Sequence, residues 1–318
     1  MIKRKVLITG GLGYLGGRLS RYLAEKNFEV IVGTSRKKAK LPIELADCSL
    51  TFIDLTNLHG LTEKCLGVES VIHLASINSQ NSQKDPILAI QINAIGTYNL
   101  IQACILSKVK YFLYFSSAHI YGAPLVGNIN ENTIPKPVHP YSITHRVAED
   151  FLLEAINNKK INGSVLRLSN AIGLPITKNK YCWILFINDA CKQAVTEKRI
   201  VINSDPNIKR DFLPIKSVCK VTEYFLTNKK TSEYPIFNVG SGNSFSLLQM
   251  AKIIATRCQS LYKYYPNIMF SKENTSKDNS FNYNVEKLTK EINFNLDNNL
   301  NNSIDEILKY CKAENKIQ

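Results

Sequence analysis

The fold is decided by one stretch near the start of the chain, Lys5-Val6-Leu7-Ile8-Thr9-Gly10-Gly11-Leu12-Gly13-Tyr14-Leu15-Gly16. An apolar run ends at Gly10, a glycine turn follows, and helical spacing then begins. Such a turn presents backbone N–H groups and a helix N-terminus to a pyrophosphate. A second apolar run at residues 28–32 completes a βαβ unit. We therefore predict a dinucleotide site with contacts from Gly10, Gly13, Tyr14 and Leu15. The alternative is a tight turn without a ligand.

The composition is that of an ordinary globular protein. The chain has 318 residues and a hydrophobic fraction of 44%, which suits one major domain and a smaller one. No apolar run approaches about 18 residues, and no apolar signal-peptide core opens the chain, so we expect a cytoplasmic protein without a membrane segment. The cysteines are scattered and form no C-x-x-C pair or Cys/His cluster, so we expect free thiols and no metal site.

The chain is strongly basic, with a formal net charge of +14. Its lysines are dispersed, many of them beside asparagines, and no helix-turn-helix, zinc-finger or RNA-binding motif accompanies them. The charge therefore favours small anionic partners such as nucleotide diphosphates, and we expect no nucleic acid as the main partner.

Strands and helices alternate through the first half of the chain. After the βαβ unit, apolar strand patterns recur at residues 50–54, 70–75, 111–116 and 163–168, with helical patterns between them. This alternation predicts an α/β fold with a doubly wound parallel sheet, covered by helices on both faces. Residues 271–303 are rich in Asn, Ser and Lys, and we expect them to be exposed.

Polar side chains lie where a parallel sheet binds its ligands. Ser116 and Ser117 end the fifth strand, and Tyr141 begins a helix with His145 one turn later on the same face. Ligands bind at the carboxyl ends of the strands in a doubly wound sheet. We therefore expect these residues and the glycine turn to share one crevice.

With these residues in place, the chain resembles the extended short-chain dehydrogenase/reductases, of the nucleotide-sugar epimerase, dehydratase and reductase kind. The matching segments follow the family's order and are Thr9-Gly10-Gly11-Leu12-Gly13-Tyr14-Leu15-Gly16, His73-Leu74-Ala75-Ser76, Asn93-Ala94-Ile95-Gly96-Thr97, Ser116-Ser117-Ala118-His119-Ile120-Tyr121-Gly122, Pro140-Tyr141, Arg167-Leu168-Ser169-Asn170, Arg210-Asp211-Phe212 and Asn238-Val239-Gly240-Ser241-Gly242. The resemblance implies a Rossmann dinucleotide-binding domain over residues 1–168. It also implies a smaller, mainly substrate-binding domain over residues 169–318, with short returns to the first near residues 210–240.

The resemblance also implies roles by position. Tyr141 matches the catalytic tyrosine, which exchanges a proton with the substrate, and Ser117 matches the residue that hydrogen-bonds the same oxygen. Asn170 and Arg210 match positions that hold the nucleotide sugar, Arg210 by its diphosphate. His119 lies near the sugar, as a second acid or as a plain polar residue.

The other implied cofactor contacts are Asp54 (to adenine), Leu55, Leu74, Ala75, Ser76, Asn93, Tyr141 and His145. The plainer interpretations are a helix-start aromatic for Tyr141, a strand-end cap for Ser117 and a solvated charge for Arg210.

One position departs from the family. The family has Tyr-x-x-x-Lys where this chain has Tyr141-Ser142-Ile143-Thr144-His145. In the family the lysine bonds the nicotinamide ribose, and its charge lowers the tyrosine pKa. A histidine donates one such bond and is charged only when protonated, with a reference pKa of about 6.5. Three outcomes are open: His145 substitutes with altered activity, Arg146 supplies the positive field, or the protein binds its ligands without efficient turnover.

The turn after the second strand bears on the cofactor. It reads Gly33-Thr34-Ser35-Arg36-Lys37-Lys38 and lacks the carboxylate that accepts a hydrogen bond from the ribose 2′-OH of NAD. Its hydroxyl groups and cations favour the 2′-phosphate of NADP(H), with contacts from Thr34, Ser35 and Arg36. NAD beside a solvated basic loop is the alternative.

Absent residues narrow the reaction that the resemblance implies. The family's dehydratases carry an Asp-Glu pair, and its decarboxylating members a glutamate, where this chain has Ala118-His119. These absences leave ketoreductases and epimerases. Because the basic turn after the second strand favours NADPH, we predict an NADP(H)-dependent reductase of a keto nucleotide-sugar, such as a 4-keto-6-deoxyhexose, with Tyr141 as the proton donor. The alternatives are a nucleotide-sugar 4-epimerase that retains its cofactor and a turnover-impaired binding protein. By analogy with the family we expect a homodimer through the helices near residues 90–107 and 141–157.

Overall fold

The computed structural model describes residues 3–176, 180–229, 234–271, 280–297 and 299–315. Its helices are α1 (Tyr14–Glu25), α2 (Leu58–Cys65), α3 (Ser79–Lys84), α4 (Pro86–Ala89), α5 (Gly96–Leu106), α6 (Pro140–Asn157), α7 (Phe186–Thr196), α8 (Ile215–Asn228), α9 (Leu247–Tyr262), α10 (Glu286–Ile292) and α11 (Leu300–Asn315). Its strands are β1 (Lys5–Thr9), β2 (Glu29–Thr34), β3 (Ser49–Phe52), β4 (Ser70–His73), β5 (Tyr111–Ser117), β6 (Gly127–Ile129), β7 (Asn162–Leu168), β8 (Asn170–Ile172), β9 (Arg199–Ile202), β10 (Lys209–Pro214), β11 (Ile236–Val239), β12 (Ser244–Ser246), β13 (Asn267–Phe270) and β14 (Phe281–Tyr283).

The chain folds into two compact units, and the first contains a large parallel sheet. This unit comprises Met1–Ala123, Glu131–Leu168 and Cys219–Val239. Its seven strands lie in the order β11-β7-β5-β4-β1-β2-β3, and each pairs in parallel with its neighbours. Strand β5 is buried along its whole length, as is typical of a strand covered on both faces. The predicted α/β fold with a doubly wound parallel sheet is confirmed.

One face of this sheet packs against α2, α5 and α6. Phe112 and Val165 on the sheet share a core cluster with Leu61, Leu100 and Leu152 on these helices. All five side chains are almost completely removed from solvent. This packing fixes α6, which carries Tyr141 and His145, against the strands that lead to the proposed site.

The long helix after β4 contains an irregular turn that its apolar pattern did not predict. Helices α4 and α5 are joined by a π-helical turn, Ile90–Ile95, so that helical structure runs from Pro86 to Leu106. In the part of the chain that the structure describes, this is the one helix whose length and composition would suffice to cross a membrane. Half of its most apolar stretch is buried inside the protein, and the core helix of a globular protein can have the same length and composition.

The second unit comprises Pro124–Asn130, Ser169–Val218 and Gly240–Gln318. Strand β10 pairs in parallel with β8 and antiparallel with β12, and the pairs β13–β9 and β14–β6 are parallel. The expectation that residues 271–303 are exposed is wrong for much of their described part. Phe281, Tyr283, Leu288 and Ile292 are buried, because β14 and α10 turn the few apolar residues of this polar segment inward.

A buried ion pair connects the sheet of the first unit to α6. The Nη2 of Arg167 on β7 lies 2.7 Å from Oε2 of Glu149 on α6, and Nε of Arg167 donates to both carboxylate oxygens. The side chains are 1% and 0% exposed. Nη1 of Arg167 also donates to the hydroxyl of Tyr121 at 2.8 Å. Because both charges are removed from water, each depends on the other for compensation.

We expect Arg167→Met to lower the free energy of unfolding by about 3–5 kcal/mol, because it removes the hydrogen-bonded partner of the buried Glu149 carboxylate and leaves it only the longer contact with Arg146, at 3.6 Å. Urea denaturation measures this loss. Arg21→Met is the matched control, since it breaks the exposed pair of Arg21 and Glu25, 2.8 Å apart, and such pairs contribute no more than about 1 kcal/mol. Equal losses in the two variants would contradict the prediction.

Candidate active site

The glycine turn between β1 and α1 is built for close backbone approach. Gly10 has a φ of 68°, and the N–H of Gly13 donates to the carbonyl of Gly10 at 2.8 Å. A Cβ on Gly10 would lie 2.9 Å from the backbone nitrogen of Ala75, and one on Gly16 would lie 2.2 Å from the carbonyl oxygen of Gly10. The turn therefore requires glycine at both positions for steric reasons.

The N-terminus of α1 has no side-chain cap, a feature that it shares with α5, α7 and α10. Helix α1 begins after Gly13 with no side-chain cap and no acidic residue in its first turn, and Tyr14 and Leu15 open it partly exposed. Helices α2, α3, α4, α6 and α9 are each capped by their own side chains, from Asn57, Asn78, Asp85, His139 and Ser246 respectively. An uncapped helix start beside a glycine cradle fits the pyrophosphate of a dinucleotide.

The segment after β4 is tied to the glycine turn by hydrogen bonds. The backbone N–H groups of Leu74 and Ala75 donate to Oγ1 of Thr9, each at 3.3 Å, and Thr9 immediately precedes Gly10. Ser76 is exposed next to them. The structure thus brings these predicted cofactor residues beside the turn.

Asn93 lies in the π-helical turn and is 1% exposed. Its Oδ1 accepts from the N–H of Ile77 at 2.7 Å, and its Nδ2 donates to Oγ1 of Thr144 at 3.0 Å. Asn93 therefore links the segment after β4 to α6, whose catalytic candidates flank Thr144.

The turn after β2 is basic and open to solvent. Thr34 is buried and its Oγ1 accepts from the N–H of Arg36 at 3.3 Å, whereas Ser35 and Arg36 are exposed. At the end of β3, Asp54 accepts hydrogen bonds from the hydroxyl and backbone N–H of Thr56, which lower the pKa of its carboxyl. Leu55 beside it is buried.

Ser117 and Tyr141 meet at the carboxyl end of β5. Oγ of Ser117 accepts from the N–H of His119 at 3.2 Å and caps a 3₁₀ turn, and the same side chain hydrogen-bonds Tyr141. The cap and the catalytic role predicted for Ser117 are therefore compatible. Because the capping bond uses Oγ as an acceptor, the Ser117 proton is left for the tyrosine oxygen or for a substrate oxygen. His119 is exposed next to this pair.

The surroundings of Tyr141 favour its neutral form. Desolvation raises the pKa of Tyr141 to about 12, and the hydrogen bond from Ser117 lowers it by less. Among the described residues, burial and the hydrogen bond from Ser117 are the influences found on the pKa of this tyrosine, and neither is a positive charge. The phenol of Tyr141 therefore keeps its proton at neutral pH.

His145 is buried and neutral. The imidazole is 3% exposed, and its ring centroid lies 4.3 Å from that of Tyr141. Burial, followed by the proximity of His119, lowers the pKa of His145 to about 4. Its Nδ1 lies 2.6 Å from the hydroxyl of Tyr114, whereas its Nε2 is buried without a partner in the described part of the chain. An orphaned buried nitrogen one turn after Tyr141 fits a polar group of a bound cofactor.

Arg146 does not supply the positive field that we considered for it. Its Nη2 lies 2.6 Å from Oδ1 of Asp150, and its Nη1 lies 3.6 Å from Oε2 of Glu149. The guanidinium charge is therefore balanced by two carboxylates on its own helix.

Two of the predicted substrate residues lie on paired strands of the second unit, Asn170 on β8 and Arg210 on β10. Nδ2 of Asn170 donates to the backbone carbonyl of Asp211 at 2.9 Å. Burial lowers the pKa of Arg210, and among the described residues its guanidinium forms no ion pair with a carboxylate. A half-buried arginine that lacks a carboxylate partner among the described residues is suited to bind an anionic ligand.

Two residues of these sites escaped the sequence analysis. Tyr114 appeared only as one member of the apolar run of β5, and its position opposite His145 follows from packing. Asp211 is 1% exposed, and its carboxylate accepts from the hydroxyl groups of Ser169 and Ser241 at 2.6 and 2.9 Å. The sequence feature that could have indicated Asp211 is a carboxylate directly before the apolar residues Phe212 and Leu213, because a carboxylate buried in a strand requires hydrogen-bond donors.

The cysteines and acidic residues form no metal centre in the described ranges. No group of three or more His, Cys, Asp or Glu side chains there is arranged to hold a metal ion, and all eight cysteines are free thiols.

We expect the free energy of unfolding to fall between pH 7 and pH 5, in part because His145 is buried neutral. An unfolded histidine takes up a proton near pH 6.5, whereas folded His145 does so only near its pKa of about 4. The unfolded state thus binds more protons in this interval, and His145 alone lowers stability at pH 5 by about 2 kcal/mol.

Urea unfolding of the wild type and of His145→Gln at pH 7 and pH 5 measures this contribution. The difference between the two pH values should be smaller by about 2 kcal/mol in the variant. The same pH dependence in both proteins would show that folded His145 titrates normally.

Known proteins resemble most of the chain. The UDP-glucose 4-epimerase of Lactobacillus helveticus is 28% identical over 77% of this chain and 79% of its own length. The GDP-6-deoxy-D-mannose reductase of Pseudomonas aeruginosa is 26% identical over 80% of this chain and 81% of its own. The structure of a UDP-glucose 4-epimerase from Brucella ovis in complex with NAD superposes with a TM-score of 0.84, at 19% identity, over 97% of this chain and 98% of the other.

The model of the NAD dependent epimerase/dehydratase family matches residues 6–240, from the first strand to the end of β11. This range contains the glycine turn, the Ser117–Tyr141 pair and Arg210. The predicted class, a nicotinamide-dependent oxidoreductase or epimerase, is thereby confirmed. The chain belongs to the NAD dependent epimerase/dehydratase family, within the extended short-chain dehydrogenase/reductases.

Proposed function

We propose that this protein is an NADP(H)-dependent reductase of a keto nucleotide-sugar, such as a 4-keto-6-deoxyhexose, with Tyr141 as the proton donor. The observation that carries this proposal is the turn after β2, where Ser35, Arg36 and Lys38 are exposed and no carboxylate follows the strand. A reductase consumes NADPH, and such a turn suits the 2′-phosphate of that cofactor. Tyr141 is the group that would give a proton to the substrate carbonyl, with the ring centroid of His145 4.3 Å from its own.

Ser117, at the end of β5, and Tyr141, at the start of α6, have different roles toward the carbonyl oxygen of the substrate. Ser117 donates its hydroxyl hydrogen to that oxygen and orients it toward Tyr141, whose phenol gives the proton as negative charge develops. A bound reduced nicotinamide supplies the hydride for this reduction. The glycine turn would hold the pyrophosphate of the cofactor, and Nε2 of His145 would hydrogen-bond its nicotinamide ribose. His119 is a candidate second acid near the sugar.

The choice of NADP(H) rests on the turn after β2. Ser35, Arg36 and Lys38 are exposed there, and no carboxylate stands at the end of the strand. In the described ranges neither Arg36 nor Lys38 forms an ion pair, so both remain for a 2′-phosphate. Asp54 and Leu55, after β3, are the proposed adenine contacts.

The proposal of a nucleotide-sugar substrate is supported by residues of the second unit and by the relatives. Arg210 is the proposed ligand of the diphosphate, with Asn170 beside it on β8. The relatives that act on GDP- and UDP-linked sugars support this substrate class.

We further propose a cytoplasmic enzyme and a homodimer through α5 and α6, whose Tyr98 and Phe151 are exposed with ring centroids 4.9 Å apart. Sedimentation velocity tests the dimer.

A 4-epimerase that retains its cofactor is the second candidate, and the name of the Lactobacillus helveticus relative favours it. The two functions differ in net redox change. A reductase consumes NADPH in proportion to the product formed, whereas an epimerase converts one sugar to another with no net consumption.

We expect Tyr141→Phe to lower kcat by at least about a hundredfold and to leave the dissociation constant of NADPH unchanged, because only the proton donor is removed. NADPH oxidation is followed with GDP-, dTDP- and UDP-linked 4-keto-6-deoxyhexoses. Tyr98→Phe, at an exposed tyrosine, is the control and should keep full activity. Interconversion of UDP-glucose and UDP-galactose without NADPH oxidation would make the protein an epimerase.

We expect Arg36→Ala to raise the dissociation constant of NADPH about tenfold and to leave that of NADH unchanged, because only NADPH carries the 2′-phosphate. Fluorescence titration of both cofactors measures the two constants. Lys40→Ala removes an exposed cation four residues further on and should change neither. Tighter binding of NADH than of NADPH by the wild type would overturn the cofactor assignment.

A further inference from the structure

The hydroxyl of Tyr114 forms a short contact with the imidazole that replaces the family's lysine. Tyr114 lies within β5, is 2% exposed, and places its oxygen 2.6 Å from Nδ1 of His145 on α6. The two rings are stacked with their centroids 5.9 Å apart. The contact joins side chains 31 positions apart in sequence, so it depends on the packing of α6 on the sheet.

The direction of this hydrogen bond follows from the chemistry of the two groups. Burial raises the pKa of Tyr114 well above its ordinary value, so that the phenol holds its proton. In the described part of the chain, Nδ1 of His145 is the partner found for that hydroxyl. A buried hydroxyl hydrogen without an acceptor is costly, so the phenol donates and Nδ1 accepts.

A neutral imidazole carries one proton. If Nδ1 is the acceptor, the proton resides on Nε2, which is the buried nitrogen without a partner among the described residues. We infer that Tyr114 is a positioning residue that fixes His145 as the Nε2–H tautomer, so that the imidazole presents a hydrogen-bond donor where the family's lysine presents one.

The neighbouring histidine shows what a fully satisfied imidazole looks like in this core. Nδ1 of His73 lies 2.6 Å from the hydroxyl of Thr9, and its Nε2 lies 2.9 Å from the hydroxyl of Thr97. Because the Thr97 hydroxyl donates to the carbonyl of Asn93 at 2.6 Å, it accepts from His73. His73 thus uses both nitrogens, whereas His145 has one donor in reserve for a ligand.

The experiment reads the tautomer directly in the protein without cofactor. Long-range ¹H–¹⁵N spectra of protein labelled at histidine nitrogens distinguish a protonated Nε2 from a protonated Nδ1, and His145→Lys identifies the His145 signals by their loss. We expect the Nε2–H form in the wild type and a rise of the Nδ1–H form in Tyr114→Phe. We also expect Tyr114→Phe to raise the dissociation constant of NADPH about tenfold, the equivalent of one hydrogen bond.

Tyr111→Phe is the matched control. It removes another buried tyrosine hydroxyl from β5, one that donates to Oγ of Ser164 at 2.8 Å, and it should change neither the His145 tautomer nor NADPH binding. A wild-type Nδ1–H tautomer, or a tautomer that Tyr114→Phe leaves unaltered, would overturn the inference.

The role toward the cofactor rests on the proposed function, but the tautomer does not. If the wild type fails to bind NADPH or NADH, the proposed function fails, and the nitrogen spectra still decide the role of Tyr114. If both cofactors bind and Tyr114→Phe binds them as the wild type does, positioning by Tyr114 is refuted while the proposed function stands.

Discussion

The burial of one face of α6 is the constraint on which the site depends. Three ionisable side chains, Tyr141, His145 and Glu149, follow one another at intervals of four residues and therefore lie along that face. Each must either be compensated or stay neutral. Glu149 is compensated by Arg167 from β7, whereas the one hydrogen-bond partner found for His145 among the described residues is the phenol of Tyr114, and burial keeps the imidazole neutral.

This distribution of charge bears on the acid–base chemistry of Tyr141. A cation at position 145 would stabilise the phenolate of Tyr141. A neutral imidazole gives that phenolate no such stabilisation, so the phenol keeps its proton. Removal of a proton from a hydroxyl group starts from the phenolate, and donation of a proton to a carbonyl ends with it. The substitution of lysine by His145 therefore affects proton transfer in both directions.

Local patterns predicted what local physics controls. The glycine turn and the strands of the first unit follow from backbone sterics and apolar periodicity, which are present in the sequence itself. The neutrality of His145 arises instead from burial by residues far away in the chain, and no spacing rule predicts that Tyr114 faces it. The balance of Arg146 by Asp150 was accessible in principle, since the two are four residues apart on one helix. The π-helical turn at Asn93 was not, because its amide is paired by Ile77 and Thr144 from other segments.

The second unit also places a satisfied buried charge next to an uncompensated group, but here the carboxylate is satisfied and the neighbouring arginine has no carboxylate partner among the described residues. Arg210 and Asp211 are neighbours on β10, so their side chains leave the strand on opposite faces. Asp211 is buried and is satisfied by Ser169 and by the backbone and hydroxyl of Ser241, and its carboxylate leaves no room for a Cβ on Gly240. That anchored side fixes the strand, and the arginine on the other face has no carboxylate to neutralise it in the described ranges. An adjacent acid and base thus act independently: the aspartate holds the backbone, and the arginine is left without a carboxylate partner in the described ranges.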